Sequence, residues 1–317
     1  MEPNIRLGIS RCLLGDPVRF DGNHSLDYFL VKTLGAYVDY FPVCPEVECG
    51  MGVPRETLRL VGEPENPRLM TFRTKKDYTS QMQSWSCKRV SELEMENLCG
   101  FIFKSKSPSS GMERVKVYNE KNGIPSSRGV GLFARAFMDY FPLLPVEEEG
   151  RLHDPVLREN FIERIFVYRR WRELIAGHRK ISALVDFHTR HKLLVLSHST
   201  VIYREMGRLV ARVNKEDLNE SFKRYQTLLM EALRLKATVK KHINVLQHMA
   251  GYFKKMLSPD EKKELMGVID QYGHELVPLI VPVTLLNHYV LKYKQTYLKQ
   301  QFYLNPHPME LKLRNHV

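Results

Sequence analysis

The hydrophobic pattern changes character once along this chain, near residue 158, and that change limits the folds open to it. Before it, short apolar runs at residues 5–9, 37–43, 100–103 and 141–146 read as strands. They alternate with segments of helical spacing at 25–34, 80–97 and 127–140. Alternation of this kind predicts an α/β domain with a mainly parallel sheet. After it only helical periodicity remains, over 160–175, 181–191, 199–213, 216–237, 239–255, 259–272 and 276–300. The run Glu147-Glu148-Glu149-Gly150 and the pair Asp154-Pro155 mark a soft boundary. The expected domains are therefore 1–157, α/β, and 158–317, all-α.

Charge divides at the same place. Residues 1–158 hold 21 Lys+Arg and 21 Asp+Glu, whereas residues 159–317 hold 27 and 15. The whole net charge of +12 thus belongs to the helical half. A neutral module joined to a basic one suits catalysis beside polyanion binding, and a solvated basic surface is the plainer alternative. No run approaches the roughly 18 apolar residues of a membrane span. The start, Met1-Glu2-Pro3-Asn4, is not a basic leader. A cytoplasmic protein with no membrane contact is expected, and nothing implies a protein partner.

All five cysteines, Cys12, Cys44, Cys49, Cys87 and Cys99, lie in the first hundred residues. An odd count in a cytosolic chain argues against a disulfide framework and for metal binding or catalysis. Cys12 and Cys44 each follow a predicted strand, and so does the loop Ser107-Pro108-Ser109-Ser110-Gly111. In parallel sheets, sites form at the carboxyl ends of strands, so three loops distant in sequence can converge on one pocket. Taken singly, Cys12 and Cys44 read first as buried small apolar residues, Glu46 as a loop-surface carboxylate and Ser107 as a turn or helix-cap residue; the shared strand-end position of the two cysteines brings the functional reading level. Cys87 and Cys99 accompany a helix and are expected in the core.

Four motifs in order make the pattern specific: Ser10-x-Cys12-Leu13-x-Gly15, Val18-Arg19-Phe20-Asp21-Gly22, Cys44-Pro45-Glu46-Val47 with Gly52, Pro54-Arg55 and Glu56, and Ser107-Pro108-Ser109-x-Gly111. Over about residues 5–146 the chain resembles the thiouracil desulfidase family. Behind it, Asp186-Phe187-His188-Thr189-Arg190-His191-Lys192 with Ser197-His198 resembles the helical domain of unknown function often fused to that family in tRNA 4-thiouridine desulfidases. The resemblance implies a [4Fe-4S] cluster with one open iron, held by Cys12, Cys44 and a third thiolate at position 110. It implies Glu46 as acid/base and Ser107 as a substrate-handling hydroxyl. The implied reaction is hydrolytic desulfuration of 4-thiouridine in tRNA to uridine. Free thiolated bases or nucleosides are the alternative substrate, and a non-catalytic RNA-binding protein with an incomplete cluster site is the third reading.

Position 110 departs from the family loop, which has cysteine there. A serine hydroxyl is a poor ligand for a soft iron–sulfur site. Three accounts remain open: a deliberate replacement that traps an inactive or substrate-bound form, Cys49 as the third thiolate, or a chain that has lost its cluster. In the helical half, basic and ring residues gather between His178 and Arg212. Lys180, His188, Arg190, His191, Lys192, His198, Tyr203 and Arg204 are the candidate RNA-binding residues, cations for phosphate and rings for unpaired bases.

Overall fold

The computed structural model describes residues 5–177 and 179–316. His178 lies outside the described residues. The chain divides into two compact units between Asp154 and Pro155, three residues before the expected boundary.

In the first unit, β1 (Ile5–Ser10), β2 (Val38–Val43), β5 (Phe101–Phe103) and β8 (Val146–Glu148) form an all-parallel sheet in the order β2-β1-β5-β8. Its central strands, β1 and β5, are mostly apolar because both faces are covered; Leu7, Ile9, Phe101, Ile102 and Phe103 are all fully buried. Gly8 is required by packing, since a Cβ there would lie 2.2 Å from the Phe101 ring. Phe101 and Phe103 pack on Phe133 and Phe137 of α3 (Leu132–Tyr140). This cluster fixes the height at which the loop after β5 leaves the sheet.

A second, mixed sheet, β3 (Leu58–Glu63), β4 (Asn66–Thr71), β6 (Val115–Tyr118) and β7 (Pro125–Gly129), goes beyond the sequence-based expectation. The β3–β4 hairpin turns at Pro64-Glu65, without an Asn-Gly or Asp-Gly signal. Residues 125–129, which overlap the start of an expected helix, instead pair antiparallel with β6. The helix begins only at Leu132. The expected helix over 25–34 is reduced to a single π turn at Phe29–Thr33. The strand expected at 141–146 lies at 146–148, so two of the boundary glutamates belong to the sheet. α2 (Thr79–Glu94) packs with α3 and the second sheet around Met82, Leu60, Leu69, Val115 and Val117.

The second unit is helical: α4 (Pro155–Ala176), α5 (Ile181–His198), α6 (Thr200–Arg212), α7 (Leu218–Arg234), α8 (Val239–Gly251), α9 (Pro259–Gly273), α10 (Ile280–Lys292) and α11 (Thr296–Lys299). The short α1 (Pro45–Glu48) belongs to the first unit. Trp171 stacks on Tyr225 at 5.2 Å and meets Phe187 edge-on at 5.2 Å. Buried rings of this size contribute roughly 1.5–3 kcal/mol each. α9 starts with a capping box between Ser258 and Glu261. The expected helix over 276–300 is broken at residues 293–295, where Lys294 has φ 50°. Among the described residues no helix is long and apolar enough to cross a membrane.

Candidate active site

Three loops leave the carboxyl ends of β1, β2 and β5. The β1 loop tightens at once into a 3-10 turn over Arg11–Leu14, and Gly15 closes it at φ 99°, a conformation only glycine adopts without strain. The Cys12 carbonyl accepts from Ser25 N at 2.9 Å, which pins the turn. Cys44 follows β2 as the cap of α1, with Pro45 as the first helical residue and Glu46 in the first turn. Its amide donates to Glu48 Oε1 at 2.8 Å.

The third loop, 104–113, is held from two sides. Against α3, the carbonyls of Pro108 and Ser109 accept from the amides of Leu132 (3.2 Å), Phe133 (2.9 Å) and Ala134 (3.1 Å). Gly131 permits this approach, because a Cβ there would lie 2.5 Å from the Ser109 backbone. From β8, Glu148 Oε1 accepts from Met112 N at 2.6 Å. Glu149 Oε2, just past the strand, accepts from Ser105 N at 2.7 Å, and its Oε1 accepts from Ser105 Oγ at 2.7 Å and pairs with Lys104 Nζ. Burial raises the Glu148 carboxyl above the usual carboxylate range, against the pull of the two amides it accepts from.

The loops enclose a cavity of about 500 Å3, and Cys12, Cys44, Glu46, Ser107 and Ser110 all line it. Glu46 is its organising carboxylate. Oε1 accepts from Ser109 Oγ at 2.5 Å, and Oε2 lies 3.7 Å from Cys44 Sγ and 3.8 Å from Arg55 Nη2. Ser109 Oγ is in turn 3.0 Å from Ser107 Oγ, and Ser107 Oγ accepts from the amides of Ser109 and Ser110. Ser107 is therefore both a cavity hydroxyl and the cap of its own turn. Arg11, Arg19, Lys104 and Lys106 complete a cationic wall. Burial pushes the Cys12 thiol up to about 11 against the pull of Lys104. Burial and then Glu46 push Cys44 up to about 12.

The structure adds Ser109, Arg55, Lys104, Glu148 and Glu149 to the site residues expected from the sequence. Ser109 and Arg55 stand inside the quoted motifs. The two glutamates read as linker in the sequence, and only the pairing of β8 beside β5 reveals their reach.

Cys49, the alternate third thiol, is not in the cavity wall. Its Sγ lies 3.5 Å from the Glu46 carbonyl oxygen, and the side chain packs with Met51, Leu60 and Met82 in the apolar cluster below. Cys87, expected in the core, is exposed on α2; Cys99 is buried. The cavity thus offers two thiols and, at the position where a third was expected, the Ser110 hydroxyl, which has no hydrogen-bond partner among the described residues. These residues do not fit a cluster bound by three thiolates. Among the described residues no group of three or more His, Cys, Asp and Glu could hold a metal ion.

In the helical unit the eight candidate RNA-binding residues separate. His188, His191 and His198 are buried. His188 Nδ1 meets Tyr225 Oη at 3.2 Å, and burial pushes its ring down to about 4. His191 stacks on Phe187 at 3.8 Å and is held well below the usual range by burial and Arg170. His198 lies between Leu235 O at 2.6 Å and Glu163 Oε1 at 2.5 Å. These three rings are core and network groups and cannot stack on a base. Their helical spacing reads as a polar face, but α5 is covered on nearly every side. Arg190 and Lys192 are half-buried over the Phe302 and Tyr297 rings, 4.8 and 5.1 Å away, and Tyr203 is half-buried. Lys180 and Arg204 are exposed, and Arg204, Arg208 and Arg212 recur at four-residue spacing along α6.

A relative in Escherichia coli (strain K12), the uncharacterized protein YbgA, is 33% identical over 134 residues, which cover 42% of this chain and 79% of YbgA. The chain belongs to the family of YbgA. Residues 7–149 match the family model described as 2-thiouracil desulfurase, and residues 192–308 match a model described as a protein of unknown function. The first match takes in every cavity residue named above; the YbgA relationship adds no activity to it. A solved structure of the [4Fe-4S]-dependent thiouracil desulfidase TudS covers 48% of this chain and 95% of its own, at 24% identity and a TM-score of 0.40, a likeness too slight to carry an argument.

Proposed function

We propose that the α/β unit is a desulfidase module that takes the thiocarbonyl edge of 4-thiouridine in tRNA into the cavity, while the exposed cations of the helical unit hold the RNA backbone. The observation that carries this reading is the meeting of Cys12, Cys44, Glu46, Ser107 and Ser110 on one cavity, within the segment matched to 2-thiouracil desulfurase. The net change, C=S and water giving C=O and hydrogen sulfide, balances without an oxidant. Glu46 is the group able to move the protons, with Ser109 and Ser107 as a hydroxyl chain behind it. Arg55 and Lys104 supply positive charge where a sulfur anion would develop. No step is assigned to a cluster, because the chain as it stands lacks the third thiol.

The reading is tested with thiolated tRNA, comparing this chain with Ser110→Cys after anaerobic reconstitution. Expected are iron, acid-labile sulfide and loss of 4-thiouridine with Ser110→Cys, and RNA binding with both. Unchanged thiouridine with Ser110→Cys refutes the desulfidase reading. The description of the matched family model favours a second reading, turnover of free thiolated bases. That reading predicts consumption of thiouracil by Ser110→Cys and no salt-sensitive RNA binding.

A further inference from the structure

The helical unit contains a cavity of about 270 Å3 whose chemistry is opposite to its surroundings. Its half of the chain carries the full net charge of +12, yet the wall holds Glu159, Glu163 and Glu275 and no Lys or Arg. Val156, Ala237, Val239, Val277 and Leu279 form an apolar body around them.

Behind the wall the charges are matched. Glu163 Oε1 faces His198 Nε2 at 2.5 Å, and Glu163 Oε2 faces Arg314 at 3.5 Å. Arg314 Nε donates to Glu159 Oε1 at 3.0 Å, and His316 Nε2, also on the wall, lies 3.7 Å from Glu159 Oε2. The two His198 nitrogens face Leu235 O and Glu163 Oε1. Glu159 and Glu163 are thus matched by Arg314, His198 and His316, and Glu275 at the exposed rim is a carboxylate with no ion-pair partner among the described residues. An anionic ligand is repelled; an ammonium or guanidinium is drawn in.

Two side chains more than nine-tenths buried aim unpartnered polar atoms into this space. The Tyr272 hydroxyl has no hydrogen-bond partner among the described residues. His242 uses Nδ1 on Tyr303 Oη at 3.0 Å, and its Nε2 has no partner among the described residues. Tyr303 is fully buried and has no other acceptor among the described residues, so its hydroxyl donates to Nδ1 and His242 presents Nε2–H to the cavity. Buried polar atoms of this kind are normally satisfied.

We propose that this cavity is a binding site for a small organic cation, a primary amine or guanidine whose body also carries a hydrogen-bond acceptor. The cationic group meets Glu159, Glu275 and the Tyr272 oxygen; the acceptor meets His242 Nε2–H. The space of about 270 Å3 limits the ligand to small amines and guanidines. The site lies wholly in the helical unit and does not depend on the desulfidase reading.

Isothermal titration of the full chain with putrescine, agmatine and argininamide tests this, with uncharged 1,4-butanediol as control. Saturable one-to-one binding of at least one cation is expected, strongest for argininamide, which alone carries an amide acceptor. Tyr272→Phe removes a hydroxyl that no protein group uses and should weaken binding about tenfold, the effect of one hydrogen bond to a charged group. Glu275→Gln, at the exposed rim, should weaken it as well. No saturable binding by any of the three cations, equal binding of butanediol, or affinities unchanged in both variants overturns the proposal.

Discussion

Acid should unfold the helical unit well before it strips the carboxylates from the protein surface. His188, His242 and His307 are pushed down to about 4, 3 and 4, in each case chiefly by burial. In the unfolded chain each titrates near 6.5. A depressed folded pKa gives stability that is present above about pH 6.5 and lost as pH falls toward 4 and 3. At pH 5 the unfolded rings are almost fully charged and the folded rings almost fully neutral, a difference of about 2 kcal/mol per ring. Three rings together reach about 6 kcal/mol, comparable with the whole stability of an ordinary domain. The assay is urea unfolding at pH 7.5, 6 and 5, followed by Trp171 fluorescence in a Trp85→Phe background, since the chain has only two tryptophans. The midpoint should fall by about 2 M or more between pH 7.5 and 5. His188→Gln, which keeps a partner for Tyr225 and cannot charge, should recover about a third of that fall. A midpoint independent of pH over this range refutes the claim that these rings are held neutral by burial.

Thiol chemistry should sort the cysteines by position. At pH 7.5 iodoacetamide should modify Cys87 first, because Cys12, Cys44 and Cys49 are pushed up to about 11, 12 and 11; mass spectrometry after a short pulse reads the order. Gly131→Ala should cost about 1–3 kcal/mol and loosen the third loop, since its methyl would meet the Ser109 backbone; denaturant midpoints and protease sensitivity of residues 104–113 check it. Replacing Arg204, Arg208 and Arg212 by Gln should lower the salt slope of tRNA binding by up to about one for each phosphate no longer neutralised. His188→Gln should leave that slope unchanged, and an equal effect of both would place the buried ring at the RNA.

The α/β-then-α order is legible because parallel strands buried on both faces read as apolar runs, and because helices keep their period whatever they pack against. The convergence of Cys12, Cys44 and Ser107–Ser110 follows from their places at strand ends. The second sheet is hard to read: β3 begins at Leu58 with Arg59 in its second place, β7 is Pro-Ser-Ser-Arg-Gly, and neither shows an apolar run; Asn122-Gly123 between β6 and β7 is the one hairpin signal that could have found it. The histidines of α5 mislead for a related reason. Ring and charge spacing along one helix cannot tell a solvent face from a face that a partner helix covers with Tyr225 or with Glu163. Cys49 falls outside the cavity because five residues of sequence separation say nothing about which side of α1 a thiol leaves from.

The grip of Glu148 and Glu149 on the loop after β5 has a consequence for synthesis. The cavity residues end at Ser110, but the carboxylates that fix their loop come nearly forty residues later. A nascent chain that has emerged only through α3 has that helix's hold on the third loop but not the carboxylates that grip it from the other side. The site therefore assembles last, at the moment β8 adds to the edge of the sheet. A fragment that stopped at the end of the apolar run, at residue 146, would retain every residue of the cavity wall and lose its geometry.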